Sequence, residues 1–335
     1  MRIPSGLLWV KHSIIVWCCL FMSACDNTQH DESTTASTEK KIETIEKKLS
    51  PEQVNESASG DDTRFQQIAL ETLNNIASYD QPRIQFLWIP PQAKNRRQLT
   101  LWSIKLDGSD LRRVATTKEL YGDYRHSVVI SSKPVRSPDN RYIIYTFISD
   151  KKRIVLLDLV TRERKVIDEG VASARFTWYP DSQRVIINRA YETKVFSLQT
   201  GQLSSINHQE NAGLYLINEG KQFFAIKKGK YTIYDLQFNK VKSGGFDYLP
   251  QSLLHLNSVS NDGRYLAFGY DLFDLKTKQH FTSLSDAPIL GIHNDWILIS
   301  KNGFQKININ TRKMEQIFAA PAGGSGRKGV TLYNL

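Results

Sequence analysis

Reactive side chains are few in this 335-residue chain, and their spacing limits the chemistry open to it. Of the three cysteines, Cys18 and Cys19 lie inside an apolar leader that ends just before Cys25, so removal of that leader leaves Cys25 alone and no intramolecular disulfide. Four histidines, His126, His208, His255 and His293, stand in separate segments near expected strand starts. Brought to one point they could hold a metal, but their spacing gives no sign of it, and separate hydrogen-bonded histidines are the plainer reading. No Gly-x-Ser-x-Gly elbow, His-Glu-x-x-His pair, metal-spaced cysteine set or Gly-Lys-Ser/Thr phosphate loop occurs, so no catalytic residue, metal ligand or cofactor is expected. Gly323-Gly324-Ser325-Gly326-Arg327-Lys328-Gly329 has the composition of a phosphate cradle, yet no strand leads in and no helix follows, which predicts a flexible tail. Recognition chemistry is better represented. The segments 121–126 and 246–250 combine aromatics, charge and turn residues, and Tyr124, Arg125, His126, Asp247 and Tyr248 are the candidate binding residues.

These loops need strands to position them, and from Pro82 onward the chain supplies short β-runs divided by turn signals. Ser137-Pro138-Asp139-Asn140-Arg141, Tyr179-Pro180-Asp181-Ser182-Gln183, Asn218-Glu219-Gly220-Lys221 and Ser260-Asn261-Asp262-Gly263-Arg264 each precede an aromatic or β-branched run, and His293-Asn294-Asp295 is a weaker fifth copy. Spacings of 42, 38 and 43 residues separate Asp139, Asp181, Glu219 and Asp262. A period near 40 with hairpins in phase, at 161–164, 199–202, 237–240, 276–279 and 310–313, indicates small sheets arranged radially. With the strands expected before and after Asp107-Gly108-Ser109-Asp110, six units result. Proline presets φ and Asp or Asn caps backbone N–H groups in these turns, so Asp139, Asp181 and Asp262 read as architectural. Trp102, Trp178 and Trp296 read as sheet-packing residues.

Ser-Pro-Asp-Asn-Arg at 137–141, Ser-Asn-Asp-Gly-Arg at 260–264 and Leu-Trp-Ser-Ile-Lys-Leu-Asp-Gly-Ser-Asp-Leu-Arg-Arg at 101–113 resemble the repeat of TolB-type propellers. The resemblance spans roughly Pro82 to Phe318. It implies an all-β, six-bladed β-propeller with a protein partner at the mouth of its channel, although one scaffold of this kind hosts many functions.

Ahead of the repeats, Arg2 and Lys11 precede an apolar run from Ile14 to Met22, followed by Ser23, Ala24 and Cys25. This export-signal layout resembles the lipobox of bacterial lipoproteins, in which the cysteine is acylated and becomes the first mature residue. The apolar run is shorter than the about 20 residues that span a bilayer. Asp26 resembles an inner-membrane retention signal, placing the protein on the periplasmic face of that membrane, with the outer membrane as the alternative.

Residues 26–62 carry ten acids against four lysines and almost no large apolar side chains, the composition of a flexible tether. Phe65, Ile68, Ala69, Leu73 and Ile76 recur at helical spacing. The expected organisation is therefore signal peptide 1–24, lipidated Cys25 and tether to 62, short helix 63–80, propeller 81–320 and tail 321–335. Taking the leader (+2) and tether (−6) from the whole-chain +10 leaves +14 on the folded part, which favours an anionic neighbour without pointing to specific nucleic-acid binding. The function expected is a membrane-anchored, non-enzymatic module that binds an envelope protein. A hydrolase or lactonase with a channel metal, or a polyanion-binding module, are the alternatives.

Overall fold

The computed structural model describes residues 68, 81–89, 99–122, 129–170, 174–189, 192–206, 213–227, 229–246, 256–282, 284–319 and 325–333. Cys25, the tether, and the expected helix 63–80 apart from Ile68 lie outside the described residues. The strands belong to the compact unit Ser57–Leu335.

Six antiparallel sheets follow one another along the chain. The first holds β1 (Arg83–Ile89), β2 (Thr100–Lys105) and β3 (Arg112–Ala115). A five-residue helix, α1 (Thr117–Tyr121), leads from it to the second, β4 (Val129–Ile130), β5 (Val135–Arg136), β6 (Tyr142–Ile148), β7 (Lys152–Asp158) and β8 (Arg164–Glu169). The third comprises β9 (Arg175–Trp178), β10 (Arg184–Asn188), β11 (Thr193–Ser197) and β12 (Leu203–Ile206). The fourth comprises β13 (Leu214–Ile217), β14 (Gln222–Lys227), β15 (Lys230–Asp235) and β16 (Lys240–Gly245). The fifth holds β17 (Leu256–Val259), β18 (Tyr265–Phe268), β19 (Asp271–Asp274) and β20 (Gln279–Phe281), and the sixth β21 (Ile289–His293), β22 (Trp296–Ile299), β23 (Gly303–Asn308) and β24 (Met314–Ala319). A last strand, β25 (Ser325–Tyr333), returns to the first sheet and pairs with β1, Arg83 opposite Tyr333 and Ile89 opposite Ser325.

Alternation along each strand explains why the sheets stack. Ile143 and Tyr145 face one neighbour while Ile144 faces the other, because successive side chains point to opposite faces. Six apolar clusters result, and each is shared by two consecutive sheets: Leu87 with Val155, Leu156 with Phe176, Ile186 with Phe223, Phe224 with Leu266, Leu272 with Ile297, and Phe304 with Phe86. The last cluster joins the sixth sheet to the first and closes the circle. The fold is a six-bladed β-propeller. Burying each such side chain is worth about 1.5–3 kcal/mol, so the six seams hold the ring without a disulfide.

Closure corrects one expectation. The segment 321–335, expected as a flexible tail, contains β25, the innermost strand of the first blade, so the propeller runs to Tyr333. Its glycine-rich sequence has little strand propensity; what orders it is the open edge of β1, whose backbone groups need partners. Helix α1 was also absent from the expected elements. Thr116 and Glu119 form a capping box, Thr116 Oγ1 accepting from the Glu119 amide at 3.3 Å and Glu119 Oε2 from the Thr116 amide at 2.6 Å.

The turn residues have the expected structural work. Asp139 Oδ1 accepts the Arg141 amide at 3.1 Å, and Asp262 Oδ1 accepts the Arg264 amide at 3.0 Å. Ser137 and Ser260 bond the same aspartates and receive the amides of Tyr142 and Tyr265. Asn140, Ser182 and Gly263 hold equivalent left-handed positions in three blades. Trp102 is buried against Trp88, and Trp178 stacks on Tyr142.

Candidate functional site: the central channel

Each blade's inner strand is an edge strand, so its outer carbonyls need partners from elsewhere. The neighbouring blade provides them. Gln85 Nε2 and Thr331 Oγ1 donate to the Pro134 carbonyl at 3.0 and 3.2 Å, and Trp178 Nε1 donates to that of Val135 at 3.2 Å. Thr177 Oγ1 reaches Leu214 O at 2.7 Å, Tyr215 Oη reaches Leu256 O at 2.6 Å, and Asn257 Nδ2 reaches Ile289 O at 3.1 Å. Thus five of the six blade junctions carry a side-chain bond between inner strands among the described residues. Tyr215→Phe is expected to cost about 1.5 kcal/mol by stranding the Leu256 carbonyl, read as a lower urea midpoint with an unchanged slope. An unaltered midpoint would mean that water replaces the phenol there.

Inside this stitched wall lies a cavity of about 810 Å³ that takes residues from all six inner strands, including Val330 and Thr331 of β25, Val135 of β5 with Lys133 just before it, Arg175 and Thr177, Tyr215, Ser258 and Gly291. The inner strand of the second blade is unlike the others. It is split into β4 and β5, which pair with Ile148–Phe147 and Ile144–Ile143 of β6, so four residues, 131–134, stand where β6 spends two. Ser132 Oγ accepts the Thr146 amide at 2.6 Å and the Pro134 carbonyl is held by Gln85 and Thr331, which fixes the protrusion at both ends. Such a bulge re-aims side chains. Here it brings Lys133 to the channel wall.

Lys133 remains reachable by water, yet the surrounding protein is close enough that burial first, and then the Arg175 charge, pushes its pKa down. Arg175, from β9, lies over Gly213: a Cβ there would stand 2.7 Å from Arg175 Nη1. Burial pushes the Tyr215 phenol up, the nearby Arg175 charge opposing it. Lys133, Arg175 and Tyr215, from three consecutive blades, thus line the same cavity. Nothing in the local sequence singles out Lys133 or Arg175, because the bulge and the shared lumen exist only in the folded ring.

The loop candidates Tyr124, Arg125, His126, Asp247 and Tyr248 lie outside the described residues, as do His126, His208 and His255. His293 is described, and it does not line the central cavity. It borders a separate pocket of about 310 Å³ with Asp107, Trp296 and Lys306 between the first and sixth blades. Burial pushes its pKa down, and its Nδ1 has no hydrogen-bond partner among the described residues. Among the described residues no group of three His, Cys, Asp or Glu side chains could hold a metal ion, and no helix is long and apolar enough to cross a membrane.

Among solved structures the chain is similar to TolB from Acinetobacter baumannii, with 17% identity, a TM-score of 0.47, and coverage of 69% of this chain and 62% of that one. The match therefore spans less than two thirds of the TolB chain. No family model matches, and no curated protein matches. The propeller assignment rests on the six sheets and their six shared clusters.

Proposed function

We propose that this chain is a lipid-anchored envelope protein whose propeller is a non-enzymatic module holding another envelope protein at its central channel. The observation that supports this most is the channel itself: six inner strands, bridged by side-chain hydrogen bonds at five of their junctions among the described residues, surround an open cavity of about 810 Å³. Rigid concave walls of this kind bind with little ordering cost. The leader ending in Cys25 supplies the anchor, with acylation at that thiol, and residues 26–62 supply a reach of roughly 30–35 Å from the membrane if they behave as a random coil. Cys25→Ser is expected to release the protein from the membrane fraction.

A photo-crosslinking side chain at Ser258, on the channel wall, is compared in intact envelopes with one at Val241 on the exposed outer strand β16. A discrete protein adduct at 258 that is absent at 241 is the expected result. Equal labelling at both positions, or none at 258, would remove the channel as the partner site.

A further inference from the structure

The charged residues of the channel are unevenly matched. Its described lining includes Lys133, Arg136, Arg175 and a single acid, Glu219. Glu219 is three-quarters exposed and pairs with Lys221 at 2.7 Å. Arg136 is buried, its Nε donating to the Asn140 carbonyl at 2.9 Å. Lys133 and Arg175 make no hydrogen bond or ion pair among the described residues, although each is close enough to the other for their charges to interact.

Resting on the reading of the channel as a binding site, we propose that Lys133 and Arg175 form an oxyanion site in its wall that receives a carboxylate or phosphate group of the ligand. Three separate features lead there. The bulge at 131–134 occurs in this blade's inner strand and is anchored by Gln85, Thr331 and Ser132, so the lysine is delivered to the lumen by a fixed backbone rather than by a loose loop. Gly213 leaves room for the Arg175 guanidinium from the adjacent blade. The two cations also face one cavity whose described lining holds a single acid, Glu219, already paired with Lys221. An oxyanion supplies the counter-charge that this lining lacks. Arginine presents a planar fork to two oxygens while lysine acts as a mobile point charge, a complementary pair for one anionic group.

The test uses the full-length protein with inorganic phosphate and succinate as separate probes, titrated calorimetrically at constant ionic strength. Saturable binding of at least one probe is expected, weakened by roughly tenfold or more in K133M and in R175M, since each loses a charge-assisted contact. Tighter phosphate binding indicates a phosphorylated ligand, and tighter succinate binding a carboxylate. Heats that do not saturate for either probe, or that are the same in parent and variants, would overturn the site. The crosslink from position 258 separates this failure from that of the channel reading: an adduct persisting in the K133M/R175M double variant keeps the channel while dismissing the anion site.

Discussion

Removing residues 320–335 is expected to abolish the cooperative thermal transition of the propeller. The truncation deletes β25, which leaves the β1 edge unpaired from Arg83 to Ile89 and takes Val330 out of the seam between the sixth and first blades. Phe86, Trp88 and Phe304 then lose a neighbour in the same cluster. Several backbone bonds at about 1 kcal/mol each, together with the lost apolar cover, approach the 5–15 kcal/mol by which a domain is stable at all. Circular dichroism melting and limited proteolysis read the result. A sharp transition within a few degrees of the parent would show that the ring closes without its last strand. Val330→Asp gives a milder version, placing a carboxylate where Val330 is 4% exposed, and should lower stability by about 3 kcal/mol while the chain still folds.

Asp274→Ala is expected to destabilise the propeller by about 3 kcal/mol, the range for breaking a buried charge pair. Its carboxylate is 2% exposed, accepts three bonds from Arg264 at 2.7–3.1 Å, and caps the Lys276 and Thr277 amides of the next turn. Burial alone would raise its pKa; the Arg264 bonds and the two amides overcome that and bring it from the ordinary 3.8 to about 2. Because the folded pKa is the lower one, this stabilisation is complete above the unfolded value near 3.8 and is lost as pH falls towards about 2. A shift of that size corresponds to about 2 kcal/mol. Urea unfolding of parent and Asp274→Asn between about pH 5 and 2 checks it, since the amide can still accept from the turn but carries no charge. The parent should lose its advantage over the variant across this interval. A gap that does not change with pH would show that the ionised carboxylate is not the source of the stabilisation. The second blade repeats the arrangement with Arg141 and Asp158, the latter capping Val160 and Thr161, so the sequence repeat extends to side-chain pairing.

Particular residues mark how far the sequence could be read. Asp139, Asp181 and Asp262 were legible because turn chemistry is local: a short carboxylate bonds amides two residues away whatever surrounds it. The strands of each blade were legible because apolar alternation follows from the pleat. Arg83 was not. It is fully buried at the start of β1, with Nε donating to Ser103 at 2.7 Å and Nη1 to Asp110 at 2.9 Å, a burial that depends on partners 20 and 27 residues away. Lys133 was equally hidden, since a Ser-Ser-Lys-Pro segment does not reveal that two of its residues will be extruded from a strand. Helix α1 did announce itself through Thr116-x-x-Glu119, but that signal is easily passed over among β-runs.

By itself the sequence determined the all-β class, the period near 40 residues, the six units and the turns between inner and second strands, because each depends on neighbours in the chain. Tertiary structure alone decided that a glycine-rich terminus becomes a strand, that His293 belongs to a blade junction rather than the channel, and that Lys133 and Arg175 line one cavity with Tyr215. These are contacts between segments tens to hundreds of residues apart. No local propensity encodes them; they arise when stacked sheets close a circle and bring their inner edges to a common axis.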